Sequence, residues 1–509
     1  MTPTARPPVG RTSRPAITTR RPGAGTSVVG TPVDRLHLLR RVTYGITPGL
    51  LADVTGRGVA GWLDDQLAPA TIDDSACDRA VQRFPLAHAA PPVLHGTLGN
   101  GSWSAMQDLQ AMTLARAVWS RRQLLEVMVE LWSNHLNVTC PSSEVWATRG
   151  AFDRDVVRRH ALGTFSDLLV ASCTSPAMLQ YLDNEASQGR APNENYGREV
   201  LELHTVGRGA GYGQAGVVDA ARALTGLSVW HTWDGGTTGS TGTAGTFRYR
   251  SDWRYVGPLR VLGWSHPNAD RGDGVAVARS LMRYLAGHPL TAARIARKLA
   301  VRFVSDSPPQ ALVDRLAQVY LDAGTAIVPV LRALLSSPEL AAATDAKHAR
   351  PYEDAVATMR ALGLQPSTDG ATGSYGALVW RLGEIGHAPL AWHPPDGYPD
   401  VASAWCGSGT VLGRWNLHVA LAQGWDKDGI VHPGDLCPRL LPGGVPADRD
   451  ALVTALHARL MPGRTLLPAH RAALVTFLGG PGPVRSADTT YLFPILTTLL
   501  LDSPAWSTR

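Results

Sequence analysis

Two carboxylates, a guanidinium and an amide fall together in the segment PNENYGREVLELHTVG at residues 192–207. If this segment is helical, about 100° per residue puts Asn195, Arg198, Glu199 and Glu202 on one side. Tyr196, Val200, Leu203 and His204 then fall on the other. Paired carboxylates can do general acid–base work when their surroundings push their pKa values apart. They can also hold a hard cation through oxygen ligands. A plainer role competes with these. Glu194, Arg198 and Glu202 are spaced i, i+4, i+8, the pattern of a surface ion-pair ladder worth a few tenths of a kcal/mol per pair. The polar run Asp183-Asn184-Glu185 just upstream shifts the balance toward a site. Glu199, Glu202 and Asp183 are therefore the candidate catalytic residues, with Asn193, Asn195 and Arg198 as candidate substrate ligands.

Trp392 joins the substrate-binding candidates. It lies in a loop, residues 388–405, too rich in proline to be a continuous helix. A tryptophan exposed in a groove can stack on a sugar ring, although anchoring a long loop to the core is the commoner role. Other chemistries find little support. His135 sits on the apolar stripe Leu124, Met128, Leu131, where a hydrogen-bonded core histidine is the usual outcome. No HExxH, GxSxG elbow or P-loop occurs, so no metal site is expected and no cofactor is named. Gly207-Arg208-Gly209-Ala210-Gly211 lacks a preceding strand and reads as a helix-ending loop. Arg294, Arg297, Lys298 and Arg302 form a basic helix face, expected to be solvated or to donate ion pairs.

The elements that must position these residues read as helices. Asp34 and the pair Thr47-Pro48 are start signals. Helical periodicity follows at about 104–119, 121–137, 153–171, 175–183, 193–206, 215–227, 274–286, 291–304, 308–322 and 327–336. The C-terminal third adds 352–362, 375–385, 408–423, 447–460, 466–478 and 487–501. Alternating strand patterns are confined to short pieces near 227–231 and 246–249. The fold class is all-α or predominantly α. Residues 1–33, rich in Pro, Arg and Thr, read as a disordered basic tail, and residues 34–509 as one large helical unit. The Gly/Thr run at 234–245 reads as a flexible loop.

Composition narrows the function classes. Apolar residues make up 44% of the 509, which suits a globular chain. No apolar run is long enough to span a bilayer. The net charge is +6, but the tail carries Arg6, Arg11, Arg14, Arg20 and Arg21 and no acid, leaving about +1 for the rest. A basic tail on a near-neutral body is a poor nucleic-acid footprint. The stretch after Arg20-Arg21 is too poor in apolar residues for a clean export signal, which slightly favours the cytoplasm. Five widely spaced cysteines point to buried free thiols.

Several stretches resemble the bacterial family known as domain of unknown function 1800. They are residues 38–67 (LLRRVTYGITPGLLADVTGRGVAGWLDDQL), 131–136 (LWSNHL), 192–207, 220–226 (AARALTG), 293–303 (ARIARKLAVRF), and the 392–405 loop with Arg414-Trp415-Asn416. The resemblance implies a mainly helical bacterial protein. Its members are often exported and encoded beside a sulfatase-like partner, and no activity comes with the name. The chain departs from the pattern at Ser251-Asp252, where a His-Asp pair is usual. Two functions are carried forward. One is a hydrolase of a polymeric or conjugated substrate with its polar site around residues 183–202. The other is a non-catalytic scaffold or partner of the co-encoded sulfatase-like protein.

Overall fold

The structure, a computed structural model, describes residues 33–236, 242–367, 372–425, 430–431 and 435–509. The expected disordered tail lies outside the described residues up to position 32, as does part of the Gly/Thr run.

The architecture is predominantly α-helical, with three two-stranded antiparallel sheets among the described residues. Local chemistry explains where the helices start. The Asp34 carboxylate accepts the His37 N–H at 2.8 Å, and the Thr47 hydroxyl accepts the Leu50 N–H at 3.1 Å. Each satisfies one of the orphan donors of a first turn. Helices Ser104–Trp119, Gly274–Ala286 and Ser408–Gln423 fall where the periodicity places them. Two long patterns break. The 153–171 stretch divides at Gly163-Thr164, where Thr164 caps a new helix by accepting the Asp167 N–H at 3.0 Å. The 487–501 stretch divides before Pro494, whose missing N–H suits a first turn and not a helix interior. Leu227–Val229 pairs with Phe247–Tyr249, with Leu227 opposite Tyr249.

Buried apolar residues from Leu38 to Leu501 form one connected cluster. Charged groups are buried with them. Arg302, Glu353, Arg350 and Lys347 are all almost fully buried. The Arg350 guanidinium reaches Glu130 at 2.8 Å and Glu353 at 3.0 Å, and Lys347 reaches Asp306 at 2.6 Å and Asp400 at 2.9 Å. Arg302 pairs directly with Glu353, and Arg509 closes on the same carboxylate at 3.1 Å. Part of the basic helix face is thus internal: Arg302 is an ion-pair donor inside the core.

A second buried group binds the Pro351–Ala361 and Ser408–Gln423 helices. His418 donates from Nε2 to Asp354 at 2.9 Å and from Nδ1 to Asp502 at 2.8 Å, so both ring nitrogens carry protons. Burial opposes that charge, but the Asp354 carboxylate outweighs it and the pKa rises to about 9. The folded state therefore binds this proton more tightly than the unfolded chain. The stability it supplies is full below about pH 6.5 and is lost as pH rises toward 9. We predict that the melting-temperature gap between the parent and His418→Gln shrinks over that window. A gap independent of pH contradicts the imidazolium.

Candidate functional site

The signature segment begins as the helix Glu194–Glu199 and widens into a π-helical turn over Val200–His204. Asn193 is its N-cap, with Oδ1 accepting the Asn195 N–H at 2.9 Å while Nδ2 donates to the Asp183 carbonyl at 3.1 Å. Gly197 lets the segment pack on the Gln214–Leu224 helix: a Cβ there would lie 2.6 Å from the Ala221 nitrogen. The wide turn is held by the Thr205 hydroxyl, which donates to the Val200 carbonyl at 2.6 Å.

The polar side chains fare differently from one another. Arg198 pairs with Glu194 at 3.0 Å and also donates to Gln214 on the neighbouring helix at 3.3 Å. Glu202, its side chain 16% exposed, is engaged by Arg208 at 2.8 Å and by Arg198 at 3.7 Å. Asn195 is exposed, and its amide donates to the Leu182 carbonyl at 3.4 Å. Both candidate asparagines thus use their amides on backbone. Glu199 is the exception. It is partly buried, yet among the described residues it accepts no hydrogen bond and forms no ion pair. Burial raises its pKa, and the neighbouring Glu202 charge adds to the shift.

Glu199 lies within electrostatic range of Asp396 in the Trp392 loop. The Tyr181 hydroxyl, which senses both the Glu199 and Asp396 charges, donates to the His393 carbonyl. Asn137 Nδ2 donates to the carbonyls of Trp392 at 2.8 Å and Pro394 at 2.7 Å. The Trp392 indole N–H donates to Asp396 at 2.7 Å, and its ring lies 5.0 Å from that of Tyr398. Gly397 brings the loop backbone against Asn134: its φ is +75°, and a Cβ would overlap the Asn134 carbonyl oxygen at 2.0 Å.

Asp183 adopts a left-handed conformation, φ 56°. Its charge acts on Glu185, a residue the sequence reading noted as polar without choosing it. Burial, with the Asp183 and Glu144 charges, lifts the Glu185 carboxyl to about 7. His231 Nε2 approaches it at 3.4 Å, and the His231 ring is stacked on Trp233 at 4.3 Å. The Gln180 side chain, next to Tyr181, accepts the Thr148 hydroxyl at 2.7 Å.

His135 is an internal group: its Nε2–H donates to the His204 carbonyl at 3.0 Å. Asp252, where the family's His-Asp pair would stand, is taken by Arg250 at 3.2 Å. Among the described residues no group of three or more His, Cys, Asp or Glu could hold a metal ion, and no helix is long and apolar enough to cross a membrane.

The segments that suggested a family are the ones that meet here. Asn134 of the 131–136 stretch touches Gly397, Ala221 of the 220–226 stretch touches Gly197, and Arg294 Nε of the basic helix donates to the Leu203 carbonyl at 3.2 Å. No curated protein and no solved structure gives a significant match. Residues 37–508, nearly the whole chain, match the family described as Protein of unknown function (DUF1800), and the chain belongs to that family.

Proposed function

We propose that the protein is a hydrolase acting on a conjugated or polymeric substrate bound along the groove between the signature helix and the Trp392 loop. The observation that carries this reading is Glu199: a partly buried carboxylate with a raised pKa and, among the described residues, no hydrogen-bond partner, within electrostatic range of Asp396 on the loop that carries Trp392. A carboxyl whose ionisation is opposed by burial can give its proton to a leaving group and recover one from water. Glu185 is a second acid of the same kind, with Asp183 raising its pKa. Trp392 offers an apolar face to the substrate. Arg198 and Glu202 hold the wall.

A second reading is the non-catalytic partner of a co-encoded sulfatase-like protein. The pairing of Glu202 with two arginines favours it, because structural ion pairs are what a scaffold requires. The two readings separate on turnover. The purified protein is offered aryl esters, aryl glycosides and polysaccharides, and products are followed by mass spectrometry. The hydrolase releases product, and Glu199→Gln lowers the rate at least about a hundredfold, the lower range for one acid–base group. Its melting temperature stays at or above the parent's, since no bonded partner is stranded. A Glu199→Gln protein as fast as the parent, or a parent inert toward every conjugate, defeats the proposal.

A further inference from the structure

Beside the proposed groove, between the Pro289–Phe303 helix and the 392–401 loop, lies a cleft of about 410 Å³. Trp392 and Asp396 are among the residues that line it, so the loop that carries Trp392 forms one of its walls. Its inner wall carries Arg294, Lys298 and Arg350, with Arg297 at the rim.

The charges in this cleft do not cancel locally. Glu130 is held by Arg350 at 2.8 Å, and Asp400 by Lys347 at 2.9 Å with Arg302 and Arg350 further off. Glu130 and Asp400 are therefore matched by Arg350, Arg302 and Lys347, while the exposed Asp396 accepts the Trp392 indole N–H. Lys298 is not matched in return. Among the described residues its ammonium has no hydrogen-bond acceptor and no ion-pair partner. Arg294 spends one N–H on the Leu203 carbonyl, and Arg297 donates to Gln310 at the outer edge. Burial, together with the Arg294 charge, lowers the Lys298 pKa to about 8. An unpaired ammonium desolvated in this way is stabilised by any anion that enters.

We propose that this cleft is a subsite for an oxyanionic substituent of the substrate, a phosphate, sulfate or carboxylate group bound by Lys298 and Arg294. The inference rests on reading the adjoining groove as a substrate site, and it narrows the substrate class to acidic conjugates. Three ammonium donors and a guanidinium edge suit an oxygen-rich anion, and Trp392 in the lining suits the apolar face of the ring or chain that carries it.

The test is binding, with no turnover needed. Sodium phosphate, sulfate and glucuronate are titrated into the full chain against sodium chloride at equal ionic strength, and thermal shift and heat of binding are recorded. A saturable rise in melting temperature with at least one oxyanion, weakened about tenfold or more in Lys298→Gln, is expected. Preference for phosphate or sulfate assigns an ester, and preference for glucuronate an acidic sugar. Should Lys298→Gln melt well below the parent, Arg297→Gln at the rim serves instead, with a severalfold weakening expected. An equal response to chloride, or variants that bind as tightly as the parent, overturns the subsite. Glu199→Gln should bind these anions like the parent. Oxyanion binding without turnover therefore defeats only the hydrolase reading, and turnover without oxyanion binding defeats only the subsite.

Discussion

Glu353→Gln is expected to lower stability by about 3–5 kcal/mol, the cost of breaking a buried ion pair from one side. The Glu353 carboxylate is 3% exposed and is shared by Arg302, Arg350 and Arg509. It also accepts the Arg350 backbone N–H at 2.9 Å, closing the first turn of the Pro351–Ala361 helix. Four cations, Arg302, Lys347, Arg350 and Arg509, face four carboxylates, Glu130, Asp306, Glu353 and Asp400. Neutralising one acid leaves a net positive charge in a region with little water to screen it. Urea unfolding of the variant measures the loss. The double variant Arg302→Met/Glu353→Met is expected to lose less than the sum of its singles, because the second change removes a cation the first has stranded. Additive losses would mean that the cluster's charges do not depend on one another.

Why this cluster escaped the sequence reading follows from its geometry. Arg302 lies on a helix face whose other members, Arg294, Arg297 and Lys298, look alike by spacing. Nothing local separates the arginine that turns inward from the lysine that faces a cleft. The separation is made by residues 51 and 98 positions downstream, Glu353 and Asp400. By contrast, the helices themselves were legible, because caps and periodicity are local signals: Asp34, Thr47 and Thr164 each cap a helix with the side chain their type predicts. Strands were less so. The Leu259–Val261 and Trp264–His266 hairpin turns on Leu262 and Gly263, both at positive φ. Leucine is a poor residue for that conformation, so no turn signal marked it.

The candidate site was legible in part for the same reason. Asn195, Arg198, Glu199 and Glu202 were placed on one face by a 3.6-residue period, but the backbone changes to a π turn after Glu199. The wider turn separates the fates of the two glutamates: Glu202 reaches Arg208, and Glu199 is left without a partner. Trp392 was chosen for its type alone. Its nearness to the signature helix depends on contacts such as Tyr181 to His393, across 212 residues, which no local pattern encodes.

Acid should unfold this protein at a higher pH than its carboxylates alone would dictate. Three buried histidines are held neutral. Burial, with Arg294 and Lys298 nearby, lowers His204 to about 3, and burial also takes His135 and His387 well below their usual value. The unfolded chain takes up these protons below about pH 6.5 while the folded protein refuses them, so stability is lost as pH falls through that window. At about pH 5 His204, held near 3, forfeits roughly 2 kcal/mol, at 1.36 kcal/mol per pKa unit. His135 and His387, lowered by the same burial, add to that loss in the same direction. Glu185 works in the opposite direction between about 7 and its unfolded value, and Glu199, raised by the same burial, works with it. Tryptophan fluorescence followed from pH 7 to 3 should therefore show cooperative unfolding near pH 5. The decisive variant is His204→Leu. Neither His204 ring nitrogen has a hydrogen-bond partner, so the substitution strands nothing, and the backbone carbonyl that receives the His135 proton remains. It should move the acid midpoint downward. An unchanged midpoint would mean that His204 does not meet its proton on unfolding, and the histidine account of acid sensitivity would be wrong.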